Sequence, residues 1–364
     1  MTPLNIASPH GLIRHRDAIF IPGVGTRFFD SQLVDAIGAP IPAALTGMKY
    51  RRTPTKHRDL ADLKVEHTLT GTHYFGGIYF SHFGHYITDT ISRFYGLDHV
   101  PDPIDSMLFF GRKQMANDAL PFPEINARLG VTHPVRWLSG VTRIENLYVA
   151  PQGMGLGNLA AGLPAARAYL REKFSAGVAP GSQRRVYISR MGYKYRRGGM
   201  IGEDVLERNL IAQGYAIARP ETMTLEDQLS LYRGASHLIC ADSSALHLAA
   251  YVMEPHQQIA IIERRKKGAR DVAPQLAAFT GRPPLVIDAI TGMVTLTGHR
   301  LRKWAASAIC DFDAIKSALM DAGFVSDTGA WDSPSHDELA ELARVIAADA
   351  GGAISDSQDL RPQA

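Results

Sequence analysis

Apolar residues recur at three- and four-residue intervals between His82 and Leu97 (HFGHYITDTISRFYGL), at Phe83, Ile87, Ile91 and Phe94. That spacing predicts a helix with one buried face. Across the cylinder fall His85, Asp89 and Arg93, with His82 a turn earlier. A polar stripe is what any amphipathic surface helix carries. Three ionisable residue types in register are also what a helix lining a cleft would present.

Around this segment the pattern is that of an α/β chain. Ala18–Pro22, Met107–Phe110, a run near Trp137 and Glu145–Pro151 are short apolar runs of strand length, interleaved with helical stretches. The QGMGLGN loop after Val149 is glycine-rich but fits no nucleotide-binding fingerprint. A helix is predicted over Pro164–Phe174, and residues 175–183 (SAGVAPGSQ) read as a linker.

From Arg184 the alternation becomes regular. RVYIS, YAIAR, HLICA and QIAIIE are strands, separated by helices around 203–213, 224–235 and 242–252. Gly214 suits a C-cap, and Thr224 with Asp227 resembles a capping box. Strand–helix repetition at this pitch predicts a parallel, Rossmann-like sheet. Past Asp288 the regularity fades, with helices expected near 311–322 and 334–349 and a disordered tail after that. The division expected is 1–176, 177–300, and a helical extension with tail over 301–364.

Composition narrows the class. With 364 residues, 45% hydrophobic and 21% charged, the chain has the make-up of a soluble globular protein. A net charge of +3 without Lys/Arg blocks argues against a nucleic-acid partner, while weak peripheral association with an anionic membrane is compatible. The two cysteines, Cys240 and Cys310, lack metal-ligand spacing and imply no disulfide framework. No signal-peptide core or membrane-spanning run is seen, so a cytoplasmic location is expected.

Ligands of doubly wound sheets bind beyond the carboxyl ends of the strands. Two such ends stand out here. After RVYIS comes a basic loop with Arg190, Lys194, Arg196 and Arg197, residue types that pair with phosphate or form an ordinary solvated loop. After HLICA come Asp242, Ser243 and Ser244 at a helix start, where free amides favour an anion. Asp242 would cap that helix or face a sugar hydroxyl. His247, a turn further on, is either a ligand donor or a packed core histidine.

The ordered series of these segments resembles glycosyltransferase family 61 (DUF563). HFGHYITDTISRFYGL is similar to its G-H-W-x-x-D-x-x-x-R segment, matching at Gly84, His85, Asp89 and Arg93. The stretch from RRVYISR to ICADSSALHLAAYV is similar to its second half, matching at Ser189, Arg190, Glu203, Pro220, Glu221, Gln228 and Ser243–His247. Gly202 stands where the family commonly has Asn, and Ser243 where many members have Gly. The resemblance covers about residues 80–265.

It implies a GT-B-like fold of two Rossmann-like domains facing a cleft, and inverting transfer from a nucleotide-sugar donor to a glycan or lipid-linked glycan acceptor. Bacterial members are tied to capsule, lipopolysaccharide and other surface polysaccharides. On this reading His85 and Asp89 supply the catalytic base, either residue being the base and the other its positioner. Arg190 with Arg196 or Arg197, the amides of Ser243 and Ser244, and His247 would bind the donor, with Glu221 on the ribose. Arg93, Glu203, Gln228 and Asp242 would be structural or positioning residues. No metal or other cofactor is expected. Two rival readings stand beside it: a non-catalytic sugar- or nucleotide-binding module of the same fold, and a hydrolase with metal held by His82, His85 and Asp89.

Overall fold

The computed structural model describes residues 11–23, 28–49, 51–112, 118–193, 198–295, 306–349 and 355–356. The chain divides into two compact units, Met1–Ala176 and Gly177–Ala364. Both are α/β, each with its own main sheet, and two helices lie near the C-terminal end of the second.

The first unit contains β1 (Ile13–Ile21), β2 (Gln32–Val34), the short pair β3 (Gly47–Met48) and β4 (Arg51–Arg52), β5 (His67–Ile78), β6 (Ser106–Phe110), β7 (Val135–Trp137) and β8 (Thr142–Val149). Its helices are α1 (Phe83–His85), which continues in tighter and wider turns to His99, α2 (Pro123–Arg128) and α3 (Pro164–Ser175). Six strands form a mixed sheet ordered β2-β1-β8-β5-β6-β7. β5 runs parallel to β6 and β8, and β1 antiparallel to β8. Phe20, Phe75, Ile78, Leu108, Phe110, Ile144, Leu147 and Val149 pack in one apolar core on this sheet.

The register of β5 against β6 slips between Phe75 and Gly77. Glycines make that slip feasible. A Cβ on Gly76 would stand 2.3 Å from the Phe109 ring, and Gly77 has φ +90°. Past this irregularity the chain turns into α1, so the catalytic candidates follow the carboxyl end of β5.

The second unit holds a five-stranded parallel sheet ordered β10-β9-β11-β12-β13. Its strands are β9 (Arg185–Ile188), β10 (Ala216–Ala218), β11 (His237–Ala241), β12 (Gln258–Ile262) and β13 (Leu285–Ile287). The helices α4 (Glu203–Ala212), α5 (Leu225–Gly234), α6 (Ala245–Val252) and α7 (Ala273–Thr280) follow β9 to β12 in turn. Thr224 Oγ1 accepts from Asp227 N at 3.1 Å to cap α5, and Gly214 leaves α4 at φ +79°.

Beyond β13 the pattern changes because the strands become antiparallel. β14 (Ile290–Thr295) pairs with β15 (Ser307–Cys310) and with β16 (Ser355–Asp356), so part of the tail expected to be disordered is strand. The remaining tail positions lie outside the described residues. α8 (Phe312–Asp321) and α9 (His336–Asp349) are not a detached extension. Phe312, Ile315, Leu319, Leu339 and Ala343 share a core with Tyr187, Leu206, Ile239 and Ala260 of the parallel sheet and α4. Gly202, at φ +75°, starts α4 where a Cβ would press to 2.7 Å from Leu339.

His73, in β5, is buried, with Nδ1 2.9 Å from Ser106 Oγ and Nε2 3.0 Å from Thr70 O. Burial lowers its pKa below the ordinary 6.5, and burial acts in the same direction on His15 in β1. The folded unit therefore holds these rings neutral, while the unfolded chain takes up protons as pH falls through the ordinary value. Stability present above that value is lost on acidification. The thermal midpoint should fall between about pH 7.5 and about pH 5.5, with a shallower slope in His73→Gln. Scanning calorimetry across that range checks this.

Candidate functional site

The helix predicted over His82–Leu97 forms, but not as a regular α-helix. One α-turn at Phe83–His85 passes into a π-turn at Tyr86–Thr90 and then a 3₁₀ stretch at Ile91–His99. A π-turn holds more residues per turn than an α-helix and a 3₁₀ turn fewer, so faces assigned at 3.6 residues per turn do not persist along the segment. The expected polar face is accordingly not solvated: Asp89 and Arg93 are each only 1% exposed.

Asp89 sits in the π-turn, a feature that recurs at functional sites. Its Oδ2 is 2.9 Å from His85 Nδ1, and the Thr88 hydroxyl lies between that oxygen (3.0 Å) and Gly84 O (2.8 Å). Its Oδ1 accepts from Leu156 N at 3.2 Å. The Asp89 side chain is fully buried, whereas His85 keeps 30% of its side chain exposed beside the Phe80 ring. With the carboxylate oxygen as acceptor, the proton of this bond sits on Nδ1 and Nε2 is the ring atom left to accept. His82 lies edge-on to His85, ring centroids 5.9 Å apart.

The glycine-rich loop after β8 has a role the sequence did not reveal. Gln152 bonds Gly47 through both amide atoms, and Leu156 O accepts from Lys49 N. Those bonds bring the amide of Leu156 to Asp89, where a Cβ on Gly155 would stand 3.0 Å from Oδ1. The clue was a Gly-rich run at a strand end without a phosphate fingerprint.

Arg93 faces inward. Its guanidinium donates to the carbonyls of Ala43 (2.5 Å), Ala44 (3.2 Å), Leu45 (2.9 Å) and Ala150, and to Thr46 Oγ1 (3.1 Å), and lies over the Phe75 ring. Burial lowers its pKa to about 10, which leaves it charged at neutral pH.

In the second unit, candidates gather at the carboxyl edge of the parallel sheet. Glu203, buried with its pKa raised by that burial, accepts from Tyr187 Oη at 2.9 Å and from Arg190 N at 2.8 Å. It fixes the backbone from which the Arg190 side chain leaves. Ser189 Oγ donates to Glu207 at 2.5 Å, and Arg219 pairs with the other oxygen of that carboxylate at 2.6 Å. Glu221 is exposed and lies against Gly192, where a Cβ would stand 1.6 Å from Oε1, so the loops after β9 and β10 meet there. Gln228 Nε2 donates to Pro220 O at 3.1 Å and holds that turn.

Ser243 and Ser244 are half-buried at the start of α6: Ser244, in N-cap position, makes no side-chain cap bond, while Ser243 Oγ accepts from Ala245 N at 3.3 Å. Among the described residues Asp242 makes no cap bond to α6. It is buried and ion-paired with Arg264 (2.9 Å) and Arg265 (2.9 Å). His247 is buried, its Nδ1 bonded to Gln275 of α7. Arg196 and Arg197 lie outside the described residues. Arg264 and Arg265 escaped the sequence reading, although an acid followed by basic residues directly after a strand (ERRKK, Glu263–Lys267) marks a sheet edge of this kind.

No cluster of three His, Cys, Asp or Glu suited to a metal ion occurs among the described residues. Nor is any helix among them long and apolar enough to cross a membrane.

A five-stranded parallel sheet with polar groups at its carboxyl edge, and a separate unit carrying the His85–Asp89 pair, make this a two-unit α/β protein. The family model for glycosyltransferase 61 matches residues 83–260, from the first residue of α1 into β12. The chain thus carries a glycosyltransferase family 61 domain match that takes in both candidate regions. No curated protein matches it.

Arg93→Met should lower unfolding stability by on the order of 3 kcal/mol, because several buried carbonyls lose their donor together. Urea denaturation checks this, read as a fall in midpoint at unchanged slope.

Proposed function

We propose that the protein is an inverting glycosyltransferase of GT-B type, moving a sugar from a nucleotide-sugar donor to a glycan acceptor. Bacterial surface-polysaccharide synthesis in the cytoplasm is the expected setting. The observation that carries the proposal is the His85–Asp89 pair: a buried carboxylate holding one imidazole nitrogen at 2.9 Å and a half-exposed ring beyond it. The first unit supplies this base and the acceptor side. The second supplies the donor side, with Arg190 and the amides at Ser243–Ser244 meeting the diphosphate and Glu221 the ribose.

In the step proposed, the acceptor hydroxyl attacks the anomeric carbon from the face opposite the leaving group. Its proton passes to His85 Nε2, the bond from the anomeric carbon to the β-phosphate oxygen breaks, and the nucleoside diphosphate departs. The lone pair on Nε2 takes the proton, and Asp89 steadies the imidazolium that forms. Positioned proton transfer is worth about 10²–10⁴ in rate. Charge growing on the diphosphate is met by fixed cations and amide dipoles, the preorganised arrangement that lowers such barriers most.

Screening thermal stabilisation against UDP-, GDP-, CMP- and dTDP-sugars, followed by transfer assays, should identify a donor. With that donor, His85→Ala is expected to lower kcat by about 10²–10⁴ with little change in donor KM. Asp89→Asn should also lower kcat, because an amide can steer the ring into the wrong tautomer. Near-native kcat in His85→Ala would overturn the base assignment. Activity should survive EDTA, since the chain's own cations neutralise the leaving group; loss on chelation and recovery with a divalent ion would contradict that.

A further inference from the structure

Arg264 is placed in a way that the donor site as described leaves unexplained. It follows β12 directly and is 5% exposed. Its Nε donates to Asp242 O at 2.9 Å and lies 2.9 Å from Asp242 Oδ1, so the guanidinium lies across the carboxyl end of β11. Its Nη1 is buried and has no hydrogen-bond partner among the described residues. An unmet cationic donor in such a place costs free energy unless an acceptor arrives.

Arg265 grips the same carboxylate, its Nε 3.0 Å and Nη2 2.9 Å from Asp242 Oδ2, with 37% of its side chain exposed. The turn carrying both arginines is shaped around Asp242. Glu263 accepts from Lys267 N at 3.0 Å and Ala269 N at 3.1 Å, and a Cβ on Gly268 would stand 1.7 Å from Asp242 Oδ2. Asp242 in turn directly precedes Ser243 and the first turn of α6.

Asp242 is gripped by two guanidiniums, and Arg190 and Glu203 act electrostatically on Arg264 with opposite signs. Burial lowers the Arg264 pKa to about 9 against the pull of Asp242, with Arg190 and Arg265 adding to the depression. Positive charge crowded at the end of a parallel strand, beside a helix start, is stabilised by an anion. A guanidinium is the group best suited to phosphate oxygens.

We propose that Arg264 and Arg265 bind the pyrophosphate group of a nucleoside diphosphate at the start of α6. Arg264 Nη1 donates to a phosphate oxygen, and Asp242 is the counter-ion that holds both arginines in place beforehand. The proposal deepens the donor-site reading and rests on it for location, but does not depend on sugar transfer. Both arginines lie beyond residues 83–260, the span of the family match.

The test is calorimetric titration of the full chain with inorganic pyrophosphate, UDP, GDP and dTDP, comparing native protein with Arg265→Gln and Arg264→Lys. Native protein should bind pyrophosphate, and Arg265→Gln should weaken it at least about tenfold with a shallower salt dependence. Arg265 is half-buried, and an unchanged thermal midpoint in Arg265→Gln checks that the fold is intact. Tighter binding of one nucleoside diphosphate than of pyrophosphate identifies a nucleotide as the ligand; equal affinity identifies free pyrophosphate, and either supports the site. Absence of pyrophosphate binding by native protein, or native affinity in both variants, overturns it. If the site binds pyrophosphate but no sugar is transferred, the transferase reading fails and this one stands. If Arg265→Gln transfers sugar with native donor KM, the reverse holds.

Discussion

A buried guanidinium whose hydrogen bonds end on carbonyls and one hydroxyl holds the first unit together. Arg93 joins the end of β8 (through Ala150) to the segment 43–46, and both flank the loop that encloses Asp89. Because its acceptors are neutral, Arg93 is stabilised by their number and by the Phe75 ring. Losing any one element would leave a charge poorly solvated in the core. The cost of burying Arg93 thus enforces the backbone arrangement that carries the Leu156 amide to Asp89. The chemistry proposed for His85 depends on that enclosure, since a solvated Asp89 would not hold the ring in one orientation.

The second unit uses the opposite device. Its carboxylates stand between strands and cations: Glu203 fixes the backbone before the Arg190 side chain, Glu207 links Ser189 to Arg219, and Asp242 holds Arg264 and Arg265. Each acid consumes part of a cation's charge and in return fixes its position at the carboxyl edge of the sheet. On the proposed reading such an edge is preorganised for an anion, and its electrostatics need not reorganise when negative charge develops there.

Most of the second unit was legible in the sequence because its signals are local. The Thr224 cap, Gly214 and the apolar runs RVYI and HLICA each specify their own element, and parallel pairing follows from the alternation. The region 83–99 was legible as helical and as the place of His85 and Asp89. Its π and 3₁₀ turns were not, since they depend on β5 slipping at Gly76–Gly77 and on Arg93 reaching carbonyls about fifty residues away. Backbone acceptors leave no mark in a sequence, so Arg93 read as part of a polar stripe. Asp242 read as a cap for a similar reason: its partners follow the next strand, and only the sheet order brings them adjacent.

The account turns on which nitrogen of His85 carries the proton. Long-range nitrogen–proton correlation on histidine labelled with nitrogen-15, assigned by comparison with His85→Gln, reads this directly in the native protein at neutral pH. The account predicts a neutral ring protonated at Nδ1, with a bare Nε2, and loss of that preference in Asp89→Asn. A ring protonated at Nε2, indifferent to Asp89, would contradict it.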